Sequence, residues 1–305
     1  MPQLKHILGA GTALVALAAL FWGLAGGIGG VLMADGWNPF VVSFYRGAIG
    51  LLFVLVWLAL RPRRSGLGDY RLWFWSVIAG IGVAGNFAFY FTSIAQGSVA
   101  VAVTLMYCAP VFVYLVSFVL KLERPNLTKW AVIAVVTLGI ALLTQVYDIA
   151  AGGVTPVGAA AGLLAGLSYA IFIFGFKYAA RYGSPQAILA IAFAVLTAIL
   201  IWPSGVDQTI AVLSTPDWPL FVTLGMLGAG LSFVLYVFGL KRTAPTVAAI
   251  VAMVEPVTAA LFGAVVLDES LAAPQLAGMA LILAGVTALS AYSSARRPAW
   301  HLTRG

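Results

Sequence analysis

The chain repeats itself at a distance of 146 residues. With that shift, residues 72–143 align on a second copy without a gap; Pro110 falls on Pro256, and Gly139 falls on Gly285. An internal repeat sets the architecture of a fold, so it constrains this chain more than any local motif. Each copy contains five apolar segments. Because five is odd, the second copy would enter a membrane in the opposite direction, as in the inverted repeats of secondary transporters.

Composition indicates a membrane protein. Charged residues make up 8% of the chain, whereas soluble domains average about 25%; mean hydropathy is +1.06. Ten apolar segments are each close to the ~20 residues that cross a bilayer as a helix. They are residues 8–33, 39–60, 72–94, 98–120, 130–147, 156–178, 185–203, 218–240, 244–266 and 274–292. We expect an all-α membrane protein with ten transmembrane helices in two inverted five-helix repeats around a central cavity.

The same pattern divides the chain into three parts. They are a first repeat at 8–147, a second, inverted repeat at 156–292 and a cytoplasmic tail at 293–305. The longest connection, residues 205–217, is too short to bury a core of its own. Any function must therefore lie inside the helix bundle.

Lysine and arginine predict the orientation. With the N-terminus in the cytoplasm, every Lys and Arg outside the spans lies on the cytoplasmic side, and the opposite loops carry acidic residues only. Ten spans then leave both termini in the cytoplasm. The net charge of +7 reflects this topology and anionic lipid headgroups. It does not indicate nucleic acid, which would need one clustered basic face.

Several classes of site are excluded by the residues that are missing. The chain has one cysteine, Cys108, and two histidines, His6 and His301, both in the tails. No internal disulfide, metal cluster or histidine-based catalysis can be built in the spans from this set. No ATP-binding Walker A loop, channel filter or nucleophile–base pair is found. We expect no cofactor, no metal and no enzymatic activity.

Arg46 and Glu255 are the two charged residues deep inside spans. Such charges are expensive in a bilayer and normally face protein or water. At ~1.5 Å per residue they lie roughly 10 Å and 16 Å from the outer edge, close enough for an arginine to reach across. We interpret them as a charge pair, or as groups that meet a substrate charge or carry a coupling proton. A purely structural pair, or an outward-reaching arginine, is the alternative.

A second set of candidates is aromatic or polar. In span three Asn86 and Tyr90 share a helical face, and the repeat places Ser232 and Tyr236 at the equivalent positions of span eight. Trp22, Tyr107 and Tyr169 lie near the centres of spans one, four and six. A mostly apolar cavity with a few polar groups suits a neutral or zwitterionic, partly apolar substrate. Ordinary packing or an interfacial aromatic belt is the alternative.

Proline and glycine suggest hinges. Pro110 and Pro256 lie in mid-span, where each removes a helix hydrogen bond. Gly82 and Gly228 are another pair related by the repeat. Close packing of helices through small residues is the alternative to a hinge.

These features together resemble the EamA family of the drug/metabolite transporter superfamily. The matching stretches are residues 105–110 through Glu123 and residues 251–256 through Glu269, with a proline in the fourth span of each repeat and a glutamate at its end. Within the family the chain is most similar to YddG-type amino acid exporters. The resemblance implies a monomeric basket in which spans one, three, four, six, eight and nine surround the cavity. It places these residues at the cavity: Trp22, Asn86, Tyr90, Tyr107, Tyr169, Ser232, Tyr236 and Glu255.

The resulting functional expectation is a secondary transporter. It would export aromatic and other amino acids, or similar small metabolites, across the bacterial inner membrane by alternating access. A drug or organic-cation exporter of the same fold is the main alternative; such a protein would be expected to lack an arginine near its central acid. A channel and an intramembrane enzyme are the remaining possibilities.

Overall fold

The computed structural model describes residues 2–62, 65–96, 99–122, 124, 126–147, 155–268 and 270–295. All regular elements in these ranges are helices. Glu123, Glu269, the connection at 148–154 and residues 296–305 of the tail lie outside the described residues. So do the basic residues Arg63 and Arg64.

Fourteen α-helices form the described structure. The first repeat contains α1 (Pro2–Ala34), α2 (Pro39–Leu60), α3 (Tyr70–Ala95), α4 (Val99–Met106), α5 (Ala109–Val119) and α6 (Leu127–Leu143). The second contains α7 (Pro156–Ala179), α8 (Pro185–Ser204), α9 (Val206–Ala211), α10 (Trp218–Gly225), α11 (Ser232–Leu240), α12 (Pro245–Val251), α13 (Val254–Val266) and α14 (Ala273–Ala295). A 3-10 turn follows α9 at Val212–Ser214, and a π-helical turn joins α10 to α11 at Met226–Leu231.

Nine helical segments in the described ranges are long and apolar enough to cross a membrane. Three of them are pairs of helices that continue each other, α4 with α5, α10 with α11, and α12 with α13. The remaining apolar helix, α6, has 17 residues. The connection at 205–217, expected as a loop, contains α9 and the 3-10 turn.

Polar residues in the turns begin several of these helices. The Asn38 side chain accepts a hydrogen bond from the backbone N–H of Phe40, just before Pro39 opens α2. Asp69, Asn126 and Thr155 accept in the same way at the starts of α3, α6 and α7. Each satisfies an amide that has no partner inside its helix. The turns of the sequence therefore fix where the apolar helices start.

Both fourth spans are interrupted next to their prolines. α4 ends at Met106 and α5 begins at Ala109, and α12 ends at Val251 while α13 begins at Val254. Proline has no N–H and its ring crowds the preceding turn. The two breaks agree to within one residue under the 146-residue shift, so the mid-span interruptions expected at Pro110 and Pro256 are found in both repeats.

The last helices of the two repeats, α6 and α14, pack side by side in opposite directions. The Asn126 amide at the start of α6 donates to the Tyr292 hydroxyl near the end of α14, at 2.7 Å. At the other end, the Gln275 amide donates to the Leu143 carbonyl, at 3.3 Å. The start of each helix is thus paired with the end of the other.

The second helices of the repeats, α2 and α8, follow the same rule. Gly47 faces Leu196 and Gly50 faces Phe193, and the 146-residue shift exchanges these two contacts. Position increases along α2 while it decreases along α8, so these helices are also antiparallel. Equivalent helices of the two repeats run in opposite directions, which is the inversion expected from the odd number of segments.

The remaining helix contacts also occur in pairs that the 146-residue shift exchanges. α3 packs on α7, and its equivalent, the α10–α11 segment, packs on α1. α1 packs on α13, while α7 packs on α4 and α5. The main core lies where these crossings meet and contains the large buried rings of Phe176, Phe193, Phe233 and Tyr236.

Span eight departs from the symmetry. α3 is helical without interruption from Tyr70 to Ala95, whereas the equivalent segment carries the π-helical turn Met226–Leu231. Such turns widen a helix by one residue and are frequent at functional sites. This one lies beside the cavity described next.

Candidate functional site

A cavity of about 410 Å³ opens in the bundle between the two repeats. That volume lies in the range of small-molecule sites. It begins at mid-depth and extends along α1 and α2 towards Met33 and Val42. Eight of the residues selected from the sequence line it: Trp22, Arg46, Asn86, Tyr90, Tyr107, Tyr169, Glu255 and Pro256.

The other selected residues lie behind the wall. Ser232 and Tyr236 are fully buried, and the Tyr236 ring packs on Trp22 with ring centroids 4.9 Å apart. Trp22, which lines the cavity, also packs at 4.9 Å on Phe233. α11 therefore supports the cavity wall through Trp22.

Pro110, Gly82 and Gly228 are packing positions in this conformation. Pro110 is buried beside the break between α4 and α5. A Cβ on Gly82 would lie 2.6 Å from the backbone nitrogen of Phe172, so this glycine permits the close crossing of α3 and α7. A Cβ on Gly228 would lie 2.7 Å from both Ala25 Cβ and Arg46 Nε.

Glu255 lies in the first turn of α13, directly after the break in span nine. The N-terminal end of a helix carries partial positive charge and favours a carboxylate. Tyr107, at the equivalent break in span four, lines the same cavity as this carboxylate. Both helix breaks thus bring a polar side chain to the same point of the cavity. Glu255 is partly accessible there.

Arg46 reaches the cavity from α2 and is held from two directions. Its Nε donates to the Gly228 carbonyl in the π-helical turn, at 2.9 Å. Its guanidinium carbon lies 5.3 Å from the centre of the Phe87 ring, a cation–π distance. Arg46 and Glu255 interact electrostatically across the cavity, but among the described side chains no nitrogen of Arg46 is within 4.0 Å of a Glu255 oxygen.

Two aromatic residues of the wall carry polar atoms that have no partner. Trp22 Nε1 and the Tyr169 hydroxyl are buried and make no hydrogen bond within the described part of the chain. Buried polar atoms are nearly always satisfied, so exceptions call for an explanation such as water or a ligand. Both lie in side chains that line the cavity.

The end of the bundle opposite Met33 is closed. Lys177, near the end of α7, donates through Nζ to the carbonyls of Leu240 and Thr243, at 2.5 Å and 2.7 Å. A lysine here also complements the negative end of the α11 dipole. At the same end a Cβ on Gly11 would lie 2.9 Å from Arg242 Cβ, so α1 packs tightly against the α11–α12 turn.

Some wall residues were not selected from the sequence. Val42, Ser43 and Phe87 line the cavity close to Arg46. Val42 and Ser43 precede Arg46 by four and three residues, so helical spacing from this arginine within a span was the available signal. α2 and the end of α6, at Leu143 and Thr144, join the spans that the family resemblance places around the cavity.

Comparison with known proteins gives one consistent picture. Two stretches, residues 9–145 and 156–291, each match the EamA-like transporter family. An uncharacterized transporter of Archaeoglobus fulgidus is 30% identical over 279 residues, covering 90% of this chain and 94% of that protein. The uncharacterized transporter YwfM of Bacillus subtilis is 24% identical, covering 91% and 92%.

A solved structure supports the fold. One crystal structure superposes with a TM-score of 0.72 at 20% identity, covering 93% of this chain and 98% of the other. With one family match on each half of the chain, the resemblance found from the prolines and the repeat is confirmed. The chain belongs to the EamA-like transporter family.

Proposed function

We propose that this membrane transporter exports amino acids, aromatic and others, across the bacterial inner membrane by alternating access. The observation that carries the proposal is a cavity at mid-depth with one arginine, one glutamate and several aromatic rings, extended towards one end and closed at the other. Such a site fits a small ligand with both charge and apolar surface. The proposed activity is that of the YddG-type exporters, the group within the family that the sequence resembles.

The proposed topology has ten spans and both termini in the cytoplasm. α6 is the shortest candidate span, and its pairing with α14 from Asn126–Tyr292 to Leu143–Gln275 supports counting it. A helix that runs beside a span over its own length covers the same depth at 1.5 Å per residue. The cavity would then open away from the cytoplasm, because the closed end carries Lys177, Arg181 and Arg242.

In the proposed cycle, the closed end opens while the far end closes. The breaks beside Pro110 and Pro256 are the candidate hinges, because interrupted helices bend at little cost. Gly82 and Gly228 are the crossings about which neighbouring helices would move. A direct Arg46–Glu255 ion pair, or proton coupling through Glu255, remains a prediction for another state of the cycle.

Counterflow in proteoliposomes tests the proposal. Labelled phenylalanine, threonine and methionine should each exchange saturably with the same unlabelled amino acid inside the vesicles. A quaternary ammonium dye is assayed in parallel, because Glu255 with Trp22 and Tyr107 would also suit an organic cation. Exchange of the dye without any amino acid would replace the proposal by a cation exporter. Non-saturable flux would indicate a channel.

A further inference from the structure

The charges of the cavity are arranged for a ligand that carries both signs. Arg46 and Glu255 line the same cavity and interact electrostatically. Among the described residues they nevertheless form no ion pair within 4.0 Å. Opposite charges in a poorly solvated site attract strongly and each loses hydration. Because both charges line the cavity without neutralising each other, each is available to a ligand group of the opposite sign.

Arg46 has unused hydrogen-bonding capacity. Its Nε is taken by the Gly228 carbonyl, but neither Nη group has an acceptor in the ranges that the structure describes. An arginine presents a planar fork that matches the two oxygens of a carboxylate. The Nε contact fixes the plane of the fork, and Phe87 packs against it.

The anchor for Arg46 is itself a feature of one repeat only. The Gly228 carbonyl belongs to the π-helical turn, while the equivalent stretch of α3, around Gly82, is an ordinary α-helix. Gly228 also supplies the space for the arginine, because a Cβ there would meet Nε at 2.7 Å. Position 192, equivalent to Arg46, is alanine. Arg46, Gly228 and the π-helical turn therefore belong to one local arrangement, which the first repeat lacks.

We propose that Arg46 binds the carboxylate of the substrate and that Glu255, assisted by Tyr107, binds its ammonium group. The transporter then selects zwitterionic amino acids over amines and over carboxylic acids of the same shape. This assignment rests on the proposed function for the class of ligand and adds the direction in which the ligand lies. The side chain of the substrate points away from both charges, towards the aromatic wall at Trp22 and Tyr169.

Ligand-dependent thermal stabilisation of the purified protein measures this without requiring transport. Three probes are compared: phenylalanine, phenylalaninamide, which lacks the carboxylate, and 3-phenylpropionate, which lacks the ammonium. The wild-type protein should bind phenylalanine at least tenfold more tightly than either analogue, because each lacks one charge-assisted contact.

Variants assign each charge. Arg46→Gln should bind phenylalanine and phenylalaninamide within about threefold of each other, while Glu255→Gln should no longer distinguish phenylalanine from 3-phenylpropionate. Arg46→Lys keeps the charge without the fork and should discriminate to an intermediate degree. The matched control is Arg181→Gln, since Arg181 lies against Tyr178 and outside the cavity, and it should keep the wild-type order.

Three results would overturn the assignment. They are wild-type binding of phenylalaninamide or 3-phenylpropionate as tight as that of phenylalanine, an unchanged ligand order in Arg46→Gln, or equal weakening of all three ligands in Arg46→Gln, which indicates a structural arginine. If Arg46→Gln does not fold, the wild-type order and Arg46→Lys decide. If proteoliposomes exchange amino acids but the predicted order of ligand affinities is not found, only the charge assignment is rejected. If no amino acid is exchanged, the proposed function is rejected.

Discussion

Spans three and eight are the same segment of the repeat built in two ways. α3 runs without interruption past Gly82 and packs its backbone against Phe172. The equivalent of that point, Gly228, lies in a π-helical turn whose carbonyl accepts from Arg46. The first arrangement brings two helices close together, and the second fixes a charged side chain. The same residue type at equivalent positions thus allows close helix packing in the first repeat and helps to form a polar site in the second.

The charges follow the same division of roles. Arg46 and Glu255 replace alanines of the opposite repeat, Ala192 and Ala109, and both alanines are fully buried. Arg46 comes from the first repeat but donates to a carbonyl of the second, while Glu255 comes from the second and lines the cavity together with Tyr107 of the first. The cavity therefore depends on both halves, and its two charges are where the halves differ.

The largest effect is expected at the charge that breaks the symmetry in span nine. Glu255→Gln should reduce phenylalanine counterflow roughly 100-fold, since it removes the negative charge of the cavity and its charge-assisted contacts. Asp268→Asn is the control: it makes the same acid-to-amide change in a residue with φ of 54°, which asparagine tolerates. Similar rates for Glu255→Gln and the control would remove Glu255 from the mechanism.

The two equivalent glycines should respond differently to alanine. Gly82→Ala forces a methyl group against the Phe172 backbone and should lower the free energy of unfolding by about 1–3 kcal/mol. Gly228→Ala would meet Arg46 Nε, which can move, and Ala25 Cβ, which cannot, so stability should fall to a similar extent, but displacement of Arg46 should reduce counterflow more. Melting temperatures and counterflow rates of both variants check this. The reverse order would contradict the contrast between packing and polar roles.

Lys177 tests the contrast between the closed and open ends. Its equivalent in the first repeat is Val31. In a Cys108→Ser background, Ser232→Cys supplies a buried thiol. Adding Lys177→Met should make a thiol reagent label this cysteine about tenfold faster, because two charge-assisted hydrogen bonds that close this end are lost. Val31→Met is the matched control. Equal labelling with and without Lys177 would show that it does not hold this end closed.

The smallest effect is expected at the prolines. Pro110→Ala and Pro256→Ala each restore one backbone donor near a helix break and should change the free energy of unfolding by about 0.5–1.5 kcal/mol. Counterflow should change more for Pro256→Ala, because of the two prolines it is Pro256 that lines the cavity. Equal transport by both variants would argue that the breaks act as equivalent hinges. Greater loss in Pro110→Ala would reverse the assignment.

Much of the fold could be predicted because it is recorded in repeating, local signals. Apolar length, the capping side chains of Asn38 and Asp69, and the mid-span prolines each act within a few residues. The π-helical turn could not be predicted in this way. Its glycine, Gly228, matches Gly82, which lies in regular helix, so local composition does not distinguish the two. What differs is Arg46, 182 residues away in the sequence.

The site was predicted best where a residue is exceptional by itself. An arginine and a glutamate inside membrane spans need a polar environment wherever the helices lie. Ser232 and Tyr236 were selected by the repeat and by helical face, and in this structure they face the core beneath Trp22. The widened turn directly before Ser232 changes the rotation of α11 relative to α10. Helical spacing carried over from span three therefore does not hold beyond that turn.

The pairing of α6 with α14 has a consequence for biosynthesis. The ribosome completes α6 more than a hundred residues before α14, so the glycine face of α6, at Gly139, lacks its neighbour until α14 has been made. The same delay applies to α2, because its main packing partner, α8, is synthesised much later. The first half of the chain must therefore stay inserted but incompletely assembled, and truncated chains that end after α6 should be short-lived in cells. A single ancestral half could have filled the same interfaces only by pairing with a second copy inserted upside down.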